Sequence, residues 1–159
     1  MKRFVSIATV LIMVLSVAGS VLAQTDPFVG TWKLNVKRSK FVPGPPMKNE
    51  TRIVSPGPLG MDTSVKRVNG DSSTEEFEYT ANLDGKSYPM TGQGPYGANS
   101  IAVNLTTPYK IQSTFSKDNN VVATATSLVS NGGKVLTITT KGSDANGKLF
   151  SSIAVYDKQ

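Results

Sequence analysis

From residue 28 onward, apolar and polar residues alternate with a period of two along most of the chain, the pattern of half-buried strands rather than helices. The first such segment is Phe28 to Val36. Phe28, Gly30, Trp32, Leu34 and Val36 share one of its faces, and Lys33 and Asn35 the other. The same alternation predicts strands at Thr51 to Ser55, Met61 to Val68, Thr74 to Ala81, Ser87 to Met90, Ser100 to Thr106, Tyr109 to Ser116, Val121 to Val129, Lys134 to Lys141 and Lys148 to Tyr156. No amphipathic helical period follows Ala23.

The breaks between these segments carry hairpin chemistry. Asn69-Gly70, Asp84-Gly85, Asn131-Gly132 and Asn146-Gly147 supply residues that tolerate positive φ, and Thr107-Pro108 and Asp118-Asn119-Asn120 mark two further turns. Hairpin connections pair each strand with its sequence neighbour, giving a meander rather than a Greek key. A meander of this size accumulates twist and leaves two open edges, and pairing the first strand with the last removes both problems. The expected fold is therefore an all-β, antiparallel up-and-down β-barrel of about 8–10 strands. An immunoglobulin-like sandwich would need long crossovers, for which only Lys37 to Met47 and Thr91 to Asn99 are available. Pro43-Gly44-Pro45-Pro46 makes the first of these an irregular crossing segment, with one short helical turn near Arg38 to Phe41.

Residues 1–23 follow a different logic. Lys2 and Arg3 precede an apolar run from Phe4 to Val17, and Val21-Leu22-Ala23 offers a cleavage site, so this stretch reads as a signal peptide removed after Ala23. Phe4 to Ala23 is long enough to anchor in a bilayer, but the early charge, the Ala18-Gly19-Ser20 softening and the cleavage site favour export. The expectation is one domain over residues 24–159, periplasmic or secreted, with no stable membrane insertion after cleavage.

Composition narrows the chemistry. The 159 residues contain no cysteine, which removes disulfides, thiol catalysis and a lipid-bearing cysteine, and which together with an export signal points to a bacterial protein. They contain no histidine, which removes the commonest general base and the usual transition-metal and haem ligand, so no cofactor is expected. The net charge is +6, and residues 1–23 contribute two of those charges with no acid, leaving +4. Mild, dispersed basicity does not make a nucleic-acid footprint.

The ends of the predicted meander carry a resemblance. Phe28-Val29-Gly30-Thr31-Trp32-Lys33-Leu34 resembles the opening strand of the calycins, both the Gly-x-Trp signature of lipocalins and, more closely, the first strand of intracellular fatty-acid-binding proteins. Val155-Tyr156-Asp157-Lys158 is similar to the last strand of the latter, and the run of Asp-Gly and Asn-Gly hairpins resembles secreted bacterial lipocalin-like proteins of unknown function. The resemblance implies a calycin-like barrel closed by its terminal strands. It also implies departures. The proline-rich segment cannot form the helix-turn-helix lid of fatty-acid-binding proteins. Their closing Arg-x-Tyr, which holds a ligand carboxylate, is Ala154-Val155-Tyr156 here, so Tyr156 carries over as a candidate and Ala154 does not. The lipocalin disulfide and the histidine of nitrobindin-like haem barrels are both missing.

Strand parity proposes a cavity lining. Phe77, Tyr79 and Ala81 share a face, as do Ile101, Val103 and Leu105, and Tyr109, Ile111, Ser113 and Phe115, while Val121, Ala123, Ala125 and Ser127 are small enough to leave space. The residues singled out for ligand contact are Phe77, Tyr79, Tyr109, Ile111, Phe115 and Tyr156 in the cavity, with Tyr88 and Tyr96 at its entrance. As plain core residues with satisfied hydroxyls they would look the same from sequence. The Gly92 to Gly97 loop, tipped by Tyr96, suits a lid over a barrel mouth. Lys33, Lys37, Arg38, Lys40 and Lys48 form a basic set suited to an anionic surface or a solvated edge. Asp71, Asp84, Asp118 and Asp144 fall in turns, and no pair of carboxylates converges as a hydrolase would need.

These features together predict an exported, non-catalytic protein that binds a small apolar or amphipathic molecule inside a β-barrel. An envelope or extracellular interaction or inhibitor module working through its loops is the alternative, and an enzyme using tyrosine and carboxylates at the barrel mouth is a third class. Trp32 and Gly30 are expected to act in closure, with Trp32 packed under the last strand near Tyr156 and Lys158.

Overall fold

The computed structural model describes residues 26–43, 46–130, 132–143 and 147–159. The segment read as a signal peptide lies outside the described residues. Eleven strands run in chain order: β1 (Gly30–Leu34), β2 (Lys40–Val42), β3 (Asn49–Gly57), β4 (Gly60–Val68), β5 (Thr74–Ala81), β6 (Asp84–Gly92), β7 (Ser100–Thr107), β8 (Lys110–Lys117), β9 (Asn120–Val129), β10 (Val135–Ser143) and β11 (Leu149–Lys158). Two 3-10 turns, Val36–Arg38 and Pro95–Gly97, are the only helical pieces among the described residues.

From β3 to β11 every strand pairs antiparallel with its sequence neighbour, and β1 lies between β3 and β11 to close the ring. The expected up-and-down barrel, calycin-like and without a helical lid, is therefore the fold observed. β2 is an addition to the expectation. Pro43 and Pro46 to Lys48 belong to no strand, but just before them Lys40, Phe41 and Val42 pair with Ile153, Ser152 and Ser151 of β11. β1 and β2 thus use the same edge of β11, and the 3-10 turn between them takes up the register change. Ser39 bridges that break, its hydroxyl donating to the Asn35 carbonyl at 2.8 Å and accepting the Val155 N–H at 2.9 Å.

The closure works largely as the first strand suggested. Trp32 is fully buried, its indole N–H donates to the Phe28 carbonyl at 2.8 Å, and Lys158, its cross-strand partner, holds Nζ 5.0 Å from the ring centre. Gly30, at φ 143°, leaves the space that the Lys158 side chain fills, so a Cβ there would collide with it.

The core runs through the barrel interior. Trp32, Leu34, Val54, Met61, Val65, Ile101, Val103, Ile111, Val129 and Leu136 are all buried in it, together with Phe77 and Phe115. Parity fails at Val121, where a register shift between Phe115 and Ser116 turns the side chain out to solvent although it was expected to face inward. Leu105 keeps the phase of Val103 opposite the buried Ile111, and its exposure comes from its place at the end of that row, beside the β7–β8 turn.

Candidate functional site

The inner face of β3 to β5 is built in cross-strand rows. Glu50, Arg67 and Glu75 form one row, and Arg52, Val65 and Phe77 the next. Two arginines and a glutamate therefore point into the barrel from the same face as Val54 and Val65. Glu50 is only 1% exposed. Its Oε1 accepts from Arg52 Nη2 at 3.1 Å and from the Tyr156 hydroxyl at 2.8 Å, while its Oε2 lies 3.3 Å from Arg67 Nε. That last contact is an ion pair without hydrogen-bond alignment, so the buried Nε atoms of both Arg52 and Arg67 lack a hydrogen-bond partner. Arg67 also reaches Glu75 at 3.6 Å, at the outer edge of the cluster.

The aromatic residues expected in the site frame these charges. The Arg67 guanidinium sits 5.0 Å from the centre of the Phe77 ring, and that of Arg52 lies 5.9 Å from the centre of the Tyr156 ring. Burial works against the charge on Arg52, but Glu50, Tyr156 and Tyr79 together outweigh it and hold its pKa above the ordinary arginine value. Burial, and then the Glu50 carboxylate, push the Tyr156 pKa well above the usual tyrosine range, so its hydroxyl remains a donor.

Beside this cluster lies an interior cavity of about 70 Å³, lined by Glu50, Arg52, Arg67, Phe77, Tyr79, Ser113, Phe115, Ala125, Ser127 and Tyr156 among others. Of the β9 residues expected to leave space, Ala125 and Ser127 line it, while Ala123 is core and Val121 faces solvent. A vestibule of about 810 Å³ opens above it at the barrel mouth, with Phe41, Val42, Pro43, Met47, Gly92 to Gly94, Tyr96 to Asn99 and Phe150 on its walls. The two chambers share Met47, Arg67, Tyr96 and Ser152. Tyr96 thus stands at the boundary, stacked on Phe150 with ring centres 3.9 Å apart and planes 20° apart. Although the residue is partly exposed, enough protein surrounds its hydroxyl for burial to raise its pKa.

Tyr96 holds this position on a shaped loop. It adopts φ 60°, ψ 25° inside the Pro95–Gly97 turn. Gly92 enters the loop at φ 81°, against the Glu76 carbonyl, where a Cβ would collide with backbone. The Gln93 N–H donates to that same carbonyl at 2.8 Å, tying the start of the loop to β5.

The structure therefore brings together Phe77, Tyr79, Phe115 and Tyr156 at the interior cavity, with Tyr96 at its entrance. It does not bring Tyr88, Tyr109 or Ile111 to that cavity or to the vestibule. Ile111 is core. Tyr109 packs on the core beside the β7–β8 turn, at the end away from the mouth. Tyr88 lies where β5 and β6 cease to pair beyond Met90, and its hydroxyl donates to Asp84. Tyr88 instead lines, with Ile53, Leu59, Tyr79 and Pro89, a separate cleft on the barrel's flank.

Glu50, Arg52 and Arg67 are absent from the sequence-based set. Their signal was parity: Glu50 and Arg52 alternate in phase with Val54, and Arg67 with Val65. The basic set read from the sequence does not act as a unit. Arg38 pairs with Asp157 at 3.3 Å and Lys48 donates to Ser72 at 2.5 Å, while Lys33 and Lys40 lie on β1 and β2. Of the turn aspartates, Asp71 and Asp84 cap backbone N–H groups at Ser73 and Lys86, and Asp118 accepts from Asn99; Asp144 lies outside the described residues.

No protein-family model matches the sequence, and no curated protein matches it. Among solved structures, the chain is similar to the zebrafish ileal bile acid-binding protein complexed with cholic acid, at 13% identity and a TM-score of 0.47, over 84% of this chain and 99% of that one.

Proposed function

We propose that this protein is an exported, non-catalytic carrier of a small amphipathic acid, with the acidic group at Arg52 and Arg67 and the apolar body in the vestibule. The observation that carries the reading is the charge balance of the interior cavity: two guanidiniums line it against one buried carboxylate, and neither arginine Nε makes a hydrogen bond, that of Arg67 meeting Glu50 only as an ion pair. Buried donors without acceptors are costly, and a ligand anion is the acceptor that relieves that cost. The aliphatic and aromatic vestibule walls suit the rest of such a molecule, and its volume falls within the usual range for small-molecule sites. This sharpens the expectation of an apolar or amphipathic ligand. The arginine that the resemblance places in the last strand is supplied instead from β3 and β4, facing Tyr156. Export is the part of the proposal that rests on residues 1–23 alone.

The test is displacement of a fluorescent fatty acid from the purified protein by a matched pair of competitors, a medium-chain carboxylic acid and the alcohol of the same length. Saturable binding displaced much better by the acid supports the reading, as does its loss in a folded R52M/R67M variant. No saturable binding, or equal displacement by acid and alcohol, overturns it.

A further inference from the structure

We infer that the rim of the barrel mouth formed by Val42, Val121 and Leu149 is a docking surface for a bilayer containing anionic lipid. These three residues come from three strands, β2, β9 and β11, and are 50%, 61% and 78% exposed. They surround an open groove of about 620 Å³, to which Val122, Ala123, Gly142 and Phe150 also contribute. A sheet's solvent face ordinarily carries polar side chains, so aliphatic groups from separate strands meeting at one rim mark a surface that something covers.

Three features favour a bilayer as that occupant. Lysine accompanies the apolar groups: Lys141 lies on the groove wall, in one cross-strand row with Ser151 and Val42, and Lys40 stands two residues before Val42 on β2. Among the described residues lining the groove there is no acid, and Asp118, in the turn before Val121, is engaged by Asn99 through two hydrogen bonds of 2.7 and 3.1 Å. Aliphatic tips ringed by cations match the boundary between acyl chains and anionic headgroups, whereas protein interfaces are centred on buried aromatic or arginine anchors. The groove also shares Val42, Phe150 and Ser151 with the vestibule, so a docked mouth would open at the membrane surface. Among the described residues no helix is long and apolar enough to cross a membrane, and the contact inferred is peripheral. It does not rest on the carrier reading.

The chain has no cysteine, so one introduced thiol can be labelled uniquely. Ser151→Cys places an environment-sensitive fluorophore on the rim with the three aliphatic residues intact, and Leu59→Cys places it on the exposed β3–β4 turn at the far end. With phosphatidylcholine vesicles containing phosphatidylglycerol, the rim label should shift to the blue and the Leu59 label should not. The shift should shrink in high salt, in vesicles without phosphatidylglycerol and in a V42S/L149S background. Lys141→Gln should weaken vesicle binding by about fivefold. Absence of a shift overturns the inference, as do equal shifts at both labels, which would mean attachment without orientation, and a protein-concentration-dependent shift without vesicles, which would mean that a second copy covers the rim.

Discussion

The Tyr156 hydroxyl donates to Glu50 across 2.8 Å, joining the last strand to β3 over the strand that closes the ring. The bond is internal to the barrel and couples the candidate site to the seam. Removing the carboxylate should be felt as instability before it is felt as altered binding. E50Q leaves two guanidiniums without a buried counter-charge and should lower stability by about 3–5 kcal/mol in urea titration. An E50L/R52M/R67M variant, which removes all three charges, should recover most of that loss while failing to bind the acid. A stable E50Q would show that solvent already reaches the cluster and screens it.

Tyr156 also sets a pH dependence. Its folded-state pKa is raised above the ordinary value of 10.0, so it favours the folded state wherever the unfolded hydroxyl would stay protonated. That contribution is fully present below pH 10 and is lost as pH rises further toward the folded-state value. The wild-type protein should therefore lose stability above pH about 10 more steeply than Y156F, measured by chemical denaturation at each pH. Parallel profiles for the two proteins would mean that the hydroxyl is solvated.

Trp32 tests closure separately from binding. W32A should cost about 3–5 kcal/mol, and K158M, which removes the cation over the ring, about 0.5–2 kcal/mol, both by thermal or urea unfolding. If W32A kept its stability and lost ligand instead, Trp32 would belong to the site.

The stack of Tyr96 on Phe150 separates vestibule from cavity, so its loss should change rates more than affinity. In stopped-flow measurements Y96A and F150A should raise the association and dissociation rates of the fluorescent acid together, leaving Kd little changed. The cost in stability should be about 0.5–1.5 kcal/mol, the worth of one aromatic pair. A slower association rate would make the pair part of the binding surface rather than a gate.

Much of this fold could be read from parity and turns because both are local. Thr74 to Ala81 is a strand with the boundaries its alternation predicted, and Phe77 faces inward as its phase required. Register shifts are not local, which is why Val121 points outward against expectation. β2 escaped notice because three residues carry little periodicity and the prolines after them argued against a ladder that their partners on β11 nonetheless provide. The charged cluster was hidden for a different reason. Burial of Glu50 or Arg67 looks prohibitive on either strand taken alone, and becomes tolerable only when the two stand opposite each other across β3 and β4. Phase placed both inside. Their charge argued them out.

β2 has a consequence beyond topology. It is hydrogen-bonded to β11 along one edge and to no strand on the other, whereas β1, in the same line, is paired on both sides. The seam beside β11 is therefore closed near Trp32 and slit near Phe41. A slit of this kind widens by parting three residue pairs at β11 while the closed part keeps every one of its own. Native-state hydrogen exchange should register the difference as a step, with amides of Lys40 to Val42 exchanging through local opening and those of Thr31 to Lys33 only when the whole domain unfolds.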